Sequence, residues 1–365
     1  MKNSRKAHSF RWIANLTTWF ATSKRPMPWR NTRDPYRIWL SEIMLQQTQV
    51  ATVIPYYERF LLKFPAVSDL ASAHQDEVLK LWAGLGYYSR ARNLHRGAQT
   101  IVERFGAKMP ETPELIREIP GVGDYTAGAI LSIAFSLPEA LVDGNVARVF
   151  ARLLLLEGDW RVGEGKRVVW KVARAAVAKA HAAGINPGDF NQALMELGAT
   201  VCTPRSPLCA RCPIAKNCAA RKKGVQDSYP QLKERAESPV WKLRAWAVRD
   251  KGKMLFAQRA DEGLFGGLWE LPTERVEKKS SSAPKPFARV THVLSHRVLK
   301  VEAIETGVRE WRERVPKDAD FACWSGGYRH FRWLPIADAQ GGAVALSAVQ
   351  SKILSLCADK NSLFD

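Results

Sequence analysis

Apolar residues recur at helical spacing through most of the first 220 positions of the chain. Phe10, Ile13, Leu16 and Phe20 fall on one face of a helix, and similar stripes follow between prolines and glycines. No strand pattern precedes Lys223. We therefore expect an all-α first domain, which excludes a doubly wound nucleotide-binding sheet. The predicted helices cover residues 10–22, 36–45, 50–60, 75–83, 89–105, 112–118, 124–135, 146–156, 165–181 and 189–200.

Beyond Pro239 the spacing of apolar residues changes to the alternation that is typical of strands. A helical stripe returns only near the end of the chain, so the pattern predicts an α+β domain. The predicted strands are Lys242–Arg249, Met254–Arg259 and Val298–Ile304, and the predicted last helix is Ser347–Cys357.

These patterns divide the chain into two domains. The helical domain covers residues 1–224 and the α+β domain covers residues 239–365, with a polar linker at 225–238. A run of Lys, Ser and Pro at 277–286 predicts a mobile loop within the second domain. A chain of 365 residues is long enough to bury two separate cores.

The formal charge of +19 indicates a polyanionic partner. Nucleic acid is favoured over a membrane, because no segment is apolar enough to span a bilayer. The first residues lack the apolar core of a secretion signal, and six cysteines are too few for a disulfide scaffold. We therefore expect a reducing intracellular compartment, which is the cytoplasm and nucleoid if the source is bacterial.

A glycine turn at residues 120–123 leads directly into the helix predicted at 124–135. Backbone N–H groups of Gly121, Val122 and Gly123 would point outward at the helix start, where they suit a phosphate. About twenty residues later, Asp143 precedes Asn145, which we predict to be the N-cap of the next helix. An ordinary turn and an ordinary cap would show the same residues, so the pattern alone leaves both interpretations open.

Glu42 lies within an otherwise apolar helix that includes Trp39, Leu40 and Ile43. Desolvation at such a position raises the pKa of a carboxyl toward values that suit a general acid. The alternative is a surface glutamate on an amphipathic helix. The uncharged polar run at 46–49, which follows directly, suits hydrogen bonds to base edges or, alternatively, a solvated turn between helices.

Two further features carry candidate chemistry. Tyr87 and Tyr88 precede a helix that begins with basic residues, so one ring could enter a base stack, although paired tyrosines are also common in helical cores. Four cysteines are separated by six, two and five residues, which indicates a metal site. One tight pair and two wider gaps favour a 4Fe-4S cluster over zinc. The four are Cys202, Cys209, Cys212 and Cys218; Cys323 and Cys357 lack such spacing and are predicted to be packing residues.

Several of these segments together resemble one family. IPGVGDYTAGAI with VDGNVARV, SEIMLQQTQV, GLGYYSRARNL and the cysteine array are similar to the MutY-type adenine DNA glycosylases, which are helix-hairpin-helix base-excision enzymes with a 4Fe-4S cluster. The resemblance covers most of residues 25–220. FGGLWELP at 265–272 resembles the Nudix-like C-terminal domain of the same family. An acidic Nudix helix is missing from the sequence, so we expect this domain to be a reader of DNA and not a hydrolase.

The resemblance implies roles for individual residues. Glu42 would protonate adenine and help to activate water, and Asp143 would stabilise the sugar cation or attack it covalently. Tyr125 and Asn145 would support Asp143 and the reacting sugar. Further roles are implied for Arg25, Trp29, Arg30 and Gln192 in the adenine pocket, Gln47 and Tyr87 in filling the gap left by the flipped base, Thr48 at the opposing base, and Ser295 and His296 in sensing 8-oxoguanine.

The implied partner is double-stranded DNA with adenine opposite 8-oxoguanine or guanine, bound by a monomer. Asp124 departs from the pattern by placing a negative charge in the hairpin, so the phosphate grip there could involve a monovalent cation. In related lyases a lysine stands where this chain has Tyr125, and some relatives have a lysine at Ala147, so we expect a monofunctional glycosylase. The competing hypotheses are an endonuclease III-like pyrimidine glycosylase with lyase activity and a non-catalytic DNA-binding module.

Overall fold

The computed structural model describes residues 11–233, 237–276, 285–314 and 327–361. The contacts between residues divide the chain into two compact units. Unit 1 consists of residues 1–71 and 96–235, and unit 2 consists of residues 72–95 and 236–365. The segment 72–95 is thus flanked in sequence by unit 1 but packs with unit 2. The predicted loop at 277–286 falls mostly outside the described residues, and Cys323 lies outside them entirely.

Helices form all the regular structure described between residues 11 and 233, as the apolar spacing predicts. The predicted helices end close to their expected bounds because prolines, glycines and polar caps mark them in the sequence. Two short helices, α4 and α12, were not predicted. The α-helices are α1 Arg11–Ser23, α2 Pro35–Leu45, α3 Val50–Lys63, α4 Val67–Ser72, α5 Gln75–Trp82, α6 Ser89–Phe105, α7 Pro113–Ile116, α8 Asp124–Ile133, α9 Gly144–Leu154, α10 Gly163–Ala182, α11 Pro187–Thr200 and α12 Ala219–Lys223.

The start of α9 differs from the prediction. Asp143, and not Asn145, is the N-cap, because its carboxylate accepts a hydrogen bond from the Val146 N–H. A carboxylate at this position also interacts favourably with the positive end of the helix dipole. Asn145 lies one residue inside the helix, which leaves its amide free to reach the Asp143 side chain.

Close backbone approaches hold α8, α9 and α11 together. A Cβ atom at Gly128 would lie 2.0 Å from the Ala140 carbonyl oxygen, and one at Gly198 would lie 2.6 Å from the Asn145 Cβ. A Cβ at Gly188 would lie 2.6 Å from the Ser132 carbonyl oxygen. Glycine is therefore required at these contacts. The resulting packing fixes the start of α9, which carries Asp143 and Asn145.

Unit 2 is built on a mixed sheet. In the described residues its main path runs β3-β2-β1-β6-β5, with β4 pairing with β1 and β7 pairing with β2. β1 and β6 are parallel and the other pairs are antiparallel. The strands are β1 Val240–Asp250, β2 Lys253–Arg259, β3 Trp269–Glu270, β4 Thr273–Arg275, β5 Ala288–Leu294, β6 Arg297–Gly307 and β7 Tyr328–Leu334.

The main core of unit 2 lies on one face of this sheet. There the last helix, α15 at Ala348–Asn361, packs Val349, Ile353 and Cys357 against strand residues such as Phe256 and Leu299. The predicted packing role of Cys357 is confirmed, since it is 3% exposed.

Other helices in unit 2 are short. They are α13 Val308–Arg314 and α14 Ile336–Asp338, and a π-helical turn follows at Ala339–Ala343. None of the described helices is both long enough and apolar enough to cross a membrane.

Residues 226–233 lie within the predicted linker at 225–238 and are hydrogen-bonded to other parts of unit 1. The Arg152 guanidinium donates to the carbonyl oxygens of Gln226 and Tyr229, and the Lys233 N–H donates to Asp159 at 3.1 Å. Asp159 also forms an ion pair with Arg161. This segment is therefore held against the helical unit.

Candidate active site

A large cavity opens within unit 1. Its volume is about 1400 Å³, and its walls come from helices α2, α3, α8, α9, α10 and α11 and from the loops that precede them. The predicted site residues that line it are Arg25, Trp29, Arg30, Glu42, Gln47, Thr48, Gly121, Gly123, Tyr125, Asp143, Asn145 and Gln192. Residues that are far apart in sequence therefore meet around one space large enough for a nucleotide.

Glu42 is a buried carboxyl on this cavity, at 5% exposure. The Tyr125 hydroxyl donates to its Oε2 at 2.6 Å. Burial raises the pKa of Glu42 to about 7, the hydrogen bond from Tyr125 opposes the rise, and the charge of Asp143 adds to it. A carboxyl with such a pKa is substantially protonated at neutral pH, so it can donate a proton to a bound base.

Asp143 faces the same cavity but lies in a different environment. Its Oδ1 accepts from the Val146 N–H at 2.7 Å and its Oδ2 accepts from the Asn145 amide at 2.8 Å. Burial raises the pKa of Asp143, whereas these hydrogen bonds oppose the rise because they favour the ionised form. The two carboxyls on the cavity thus differ in their donors: Glu42 accepts from one phenol, whereas Asp143 accepts from a backbone N–H and a side-chain amide, which favour its ionised form.

Asn145 is itself held by a guanidinium. The Arg148 Nη2 donates to the Asn145 Oδ1 at 2.8 Å and to the Gly198 carbonyl at 2.7 Å. The Nε of Arg148 donates to the Cys202 carbonyl at 2.7 Å. Asparagine has one amide orientation that satisfies both neighbours, so this contact fixes the NH₂ toward Asp143.

Glu196 is a site residue that the sequence interpretation missed. It is 1% exposed and forms ion pairs with Arg25 and Arg30, each at 2.7 Å. Burial alone would raise its pKa, but the hydrogen bonds from the two arginines outweigh this effect and lower the pKa to about 2. The three side chains therefore present a fixed carboxylate acceptor, Glu196, and fixed guanidinium donors at the cavity wall. The sequence did contain a signal for Glu196: it lies one helical turn after Gln192, so both side chains share a face of α11.

The glycine turn precedes α8 as predicted, but the prediction that the Val122 N–H points outward is wrong. Gly121 has a φ of +82°, and Gly123 is the N-cap of α8 without a side-chain cap. The Val122 N–H donates to the Ile119 carbonyl at 3.0 Å, so that group is already used within the turn. Asp124 pairs with Arg117 at 3.1 Å, which offsets the negative charge that the sequence places in the hairpin.

The four cysteines of the predicted cluster lie in one loop and form no disulfide. Cys202 accepts a hydrogen bond from Arg152 at 3.4 Å, and Cys218 donates to the Arg152 carbonyl at 3.4 Å. Burial and the neighbouring thiols raise the pKa of Cys209 and of Cys212. The thiols therefore converge on one another next to a cation, which suits a group that binds them as thiolates.

A single zinc ion and a four-iron cluster require different arrangements of four thiolates. Among the described residues, no three His, Cys, Asp or Glu side chains are arranged to hold one common metal ion. Zinc requires all its ligands within about 2.3 Å of one atom. In a four-iron cluster each thiolate binds a different iron, so the sulfurs stand further apart.

Comparison with known proteins agrees with this geometry. Residues 40–174 match the model of the HhH-GPD superfamily of base excision DNA repair proteins. Residues 202–218, which begin and end at cysteines, match the iron–sulfur binding domain of endonuclease III. Residues 244–356 match the NUDIX domain. The cysteine loop is thus an iron–sulfur binding segment, and unit 2 contains a Nudix-like domain.

Curated relatives extend the match along the chain. The human adenine DNA glycosylase is 40% identical over 360 residues, covering 78% of this chain and 65% of its own length. The adenine DNA glycosylase of Buchnera aphidicola subsp. Baizongia pistaciae is 40% identical over 295 residues, covering 77% of this chain and 81% of its own length. This chain belongs to the adenine DNA glycosylase family.

A solved structure supports the fold of the helical part. A thermostable thymine-DNA glycosylase is 30% identical and superposes with a TM-score of 0.52, covering 61% of this chain and all of its own. The mammalian relatives are longer than the matched region, since the chain spans 60% of the mouse adenine DNA glycosylase and 65% of the human one.

Three residues that the family resemblance singles out lie in unit 2. Tyr87 is 40% exposed at a turn with a φ of +48°. Ser295 and His296 form the exposed turn between β5 and β6, and the Ser295 hydroxyl lies 3.2 Å from the His296 Nδ1. Each side chain is accessible to a ligand that approaches unit 2.

In this adenine DNA glycosylase family member, three further residues line the cavity that sequence patterns did not indicate. They are Trp160, Lys166 and Trp170, from the loop before α10 and from α10 itself. Aromatic surfaces and an exposed ammonium group suit bases and phosphates respectively. Lys166 bears on the expected lack of lyase activity, because it places an amine on the wall of the same cavity.

Proposed function

We propose that the protein removes adenine from double-stranded DNA where adenine faces 8-oxoguanine or guanine, by hydrolysing the N-glycosidic bond and leaving an abasic site. The observation that carries the proposal is the pair of buried carboxyls, Glu42 and Asp143, which share one cavity but accept hydrogen bonds from different donors. The names of the relatives support adenine as the base. A helical unit with a basic chain and a glycine turn at a helix start supports a DNA substrate.

The reaction requires the adenine to leave the base stack, at a cost of a few kcal/mol. In the cavity, Glu42 protonates the adenine ring so that the base becomes a better leaving group. The proton comes from a carboxyl whose pKa of about 7 keeps it available at neutral pH. Tyr125 holds that carboxyl in place through its hydroxyl.

The sugar becomes electron-deficient as the base leaves. Asp143 supplies negative charge to it, either as an ion pair or through a transient covalent bond, and water completes the hydrolysis with Glu42 as the base. Asn145 and the Val146 N–H hold the Asp143 oxygens in a fixed orientation. Arg25, Arg30 and Glu196 provide donors and an acceptor that can read the edges of the flipped adenine.

The cysteine loop would hold a 4Fe-4S cluster, whose contribution is to fix a basic loop against the DNA backbone. In the loop and its flanks, Lys216, Arg221 and Lys222 provide that charge. We further propose that a monomer binds the duplex, that Ser295 and His296 read 8-oxoguanine, and that the hairpin grips a phosphate, with a monovalent cation as an additional ligand. The protein would act at the nucleoid in a bacterial cell.

Single-turnover assays test the proposal on duplexes that pair adenine with 8-oxoguanine, guanine, cytosine or thymine. We expect fast release opposite 8-oxoguanine, slower release opposite guanine and little opposite the pyrimidines. Asp143→Asn should abolish release without loss of DNA binding. Ser295→Ala should narrow the difference between 8-oxoguanine and guanine. Release of oxidised pyrimidines in place of adenine would favour the endonuclease III-like alternative, and DNA binding without any base release would favour the non-catalytic one.

A further inference from the structure

The segment 72–95 is attached to the Nudix-like unit by side-chain hydrogen bonds. Gln75 donates to the Asp261 carboxylate at 2.7 Å, and Gln258 donates to the Asp76 carboxylate at 2.9 Å. Gln75 and Asp76 are the first two residues of α5, and this helix leads into the turn that carries Tyr87. The turn and the start of α6 make two more contacts of the same kind, through Tyr88 and Arg92.

We propose that Tyr88 and Arg92 are positioning residues, through which the Nudix-like unit holds Tyr87 ready to enter the base stack. The inference rests on the proposed function, in which a ring of this chain fills space in distorted DNA. It assigns the Nudix-like unit a second task, which is to fix the backbone under Tyr87. It concerns the residues of unit 2 alone.

The turn itself has an unusual backbone. Gly84, Gly86 and Tyr87 all have positive φ values, of +101°, +72° and +48°. A non-glycine residue in this region is strained, and it persists where its surroundings determine the conformation. Tyr87 is 40% exposed, whereas Leu85 and Tyr88 beside it are each 6% exposed. The turn thus buries its neighbours and presents one ring outward.

Tyr88 connects the turn to the C-terminal part of the chain. Its hydroxyl accepts from the Gly84 N–H at 3.3 Å and donates to the Leu346 carbonyl at 3.2 Å. One hydroxyl proton and one of its lone pairs therefore join two backbone segments that are 262 residues apart in sequence (346 − 84). Removal of this single oxygen atom would break the link between the turn and the Leu346 backbone, while the hydrogen bonds from Trp82 and Arg90 to the turn and the burial of the ring would remain.

Arg92 makes the second connection. Its Nη1 donates to the Gly266 carbonyl at 2.6 Å. Gly266 and Gly267 belong to the FGGLWELP motif, and a Cβ atom at Gly267 would lie 3.0 Å from the Leu79 Cδ1 on α5. The same glycine turn therefore accommodates α5 and accepts the hydrogen bond from α6. These contacts give the FGGLWELP motif a structural role, although it has no part in the proposed catalysis.

A thermodynamic cycle in the full-length protein tests the inference. The probe is a duplex with a tetrahydrofuran abasic analogue opposite 8-oxoguanine and 2-aminopurine next to the analogue. Tyr88→Phe should weaken binding about 5–10-fold, the effect of a hydrogen bond or two, and should change the 2-aminopurine fluorescence that reports base stacking. In a Tyr87→Ala background, Tyr88→Phe should have almost no additional effect on either quantity, because its effect passes through Tyr87.

Tyr36→Phe is the matched control, since it also removes a buried hydroxyl that donates to a backbone carbonyl, Phe64, but does so in unit 1. It should leave binding and fluorescence unchanged. Arg92→Gln changes a half-buried side chain and keeps a hydrogen-bond donor. If Tyr88→Phe lowers the yield of folded protein, Arg92→Gln can replace it in the same thermodynamic cycle with Tyr87→Ala.

Several results would overturn the inference. If Tyr88→Phe weakens DNA binding equally with and without the Tyr87 side chain, the role of Tyr88 is purely structural. If Tyr87→Ala binds the duplex normally, the Tyr87 ring does not act in the base stack. Because the probe contains no adenine to release, these outcomes do not depend on catalysis. Adenine release by the unmodified protein, measured in parallel, decides the proposed function separately.

Discussion

Each unit of the protein buries a glutamate that accepts a hydrogen bond from a tyrosine hydroxyl at 2.6 Å. In unit 1 the pair is Glu42 with Tyr125, and in unit 2 it is Glu270 with Tyr328. Glu270 is also paired with Arg259, which is fully buried, and the Tyr328 hydroxyl accepts from the Thr273 N–H. Among the described residues, Glu42 has no such guanidinium partner, and it faces a cavity.

The two pairs differ in how the buried carboxyl is balanced, and this difference bears on the catalytic role proposed for Glu42. Burial raises the pKa of Glu270, and Arg259 and Tyr328 oppose this rise by favouring the ionised form. The charge therefore has a fixed partner inside the core. For Glu42, the charge of Arg30 lowers the pKa, but the two side chains form no ion pair among those described, and the pKa still rises to about 7. In the proposed mechanism this carboxyl gives its proton to the substrate.

The sharpest test of this comparison is Glu42→Gln. Glutamine keeps the shape of the side chain and its hydrogen bonds but cannot protonate the base. We expect the single-turnover rate of adenine release to fall by about 10²–10⁴, the usual contribution of a general acid or base, or by more if water activation is also lost. DNA affinity should be unchanged. A near-normal rate would show that Glu42, like Glu270, is structural.

Glu270→Gln should give the opposite result. It leaves Arg259 buried without a counter-charge, and breaking a buried pair in this way costs about 3–5 kcal/mol. We expect a large fall in the thermal stability of unit 2, measured by calorimetry, with the rate of adenine release per folded molecule little changed well below the transition. The double variant Arg259→Met/Glu270→Gln should recover part of the stability. If both single and double variants are as stable as the parent, the pair contributes little.

The helices that surround the site could be predicted from sequence because their signals are local. Asp34 and Pro35 mark the start of α2, and the structure confirms Asp34 as its N-cap. The strands β3, β4, β5 and β7 were not predicted. β3 and β4 are only two and three residues long, and in β5 and β7 many side chains face outward, so the apolar alternation is incomplete. Local residue type also could not decide between Asp143 and Asn145 as the N-cap of α9.

Long-range contacts could not be predicted in the same way. Glu196 meets Arg25 and Arg30 across more than 160 residues, and only the packing of α11 against the N-terminal segment brings them together. The attachment of residues 72–95 to unit 2 is equally invisible in sequence spacing. The family resemblance supplied candidate roles for single residues, but their hydrogen-bond partners come from the tertiary structure.

The pH dependence of stability sharpens the comparison further. The folded-state pKa of Glu42 is raised to about 7, above its unfolded value, so folding is favoured when the group is protonated. Stability should therefore decrease as pH rises from about 4.5 to about 7, by roughly 3 kcal/mol in total for unit 1. Glu42→Gln should remove this dependence and should be more stable than the parent at pH 8. If the difference in unfolding free energy between Glu42→Gln and the parent does not vary with pH, Glu42 is not protonated in the folded protein.

The rate of adenine release should follow the same titration. The active form carries a proton on Glu42, so the rate should fall as pH rises through about 7. The residual rate of Glu42→Gln should lack this fall, which makes that variant the control for other titrating groups. A profile that rises through pH 7 in the parent would place the essential proton elsewhere.

The smallest effect is expected in a test for strand cleavage. A lyase needs an amine that forms a Schiff base with the sugar aldehyde, and the phenol of Tyr125 cannot form an imine. Lys166 lines the cavity, but it is an exposed residue of α10 and does not contact Glu42 or Asp143 among the described hydrogen bonds and ion pairs. Borohydride should therefore trap little protein on DNA, and product strands should break only after alkali or heat.

Two variants provide the controls for this test. Lys166→Ala should leave both results unchanged, whereas Tyr125→Lys, which brings an amine to the position beside Glu42, should introduce some trapping. Efficient trapping by the unmodified protein that disappears in Lys166→Ala would identify Lys166 as the amine and would make the enzyme bifunctional.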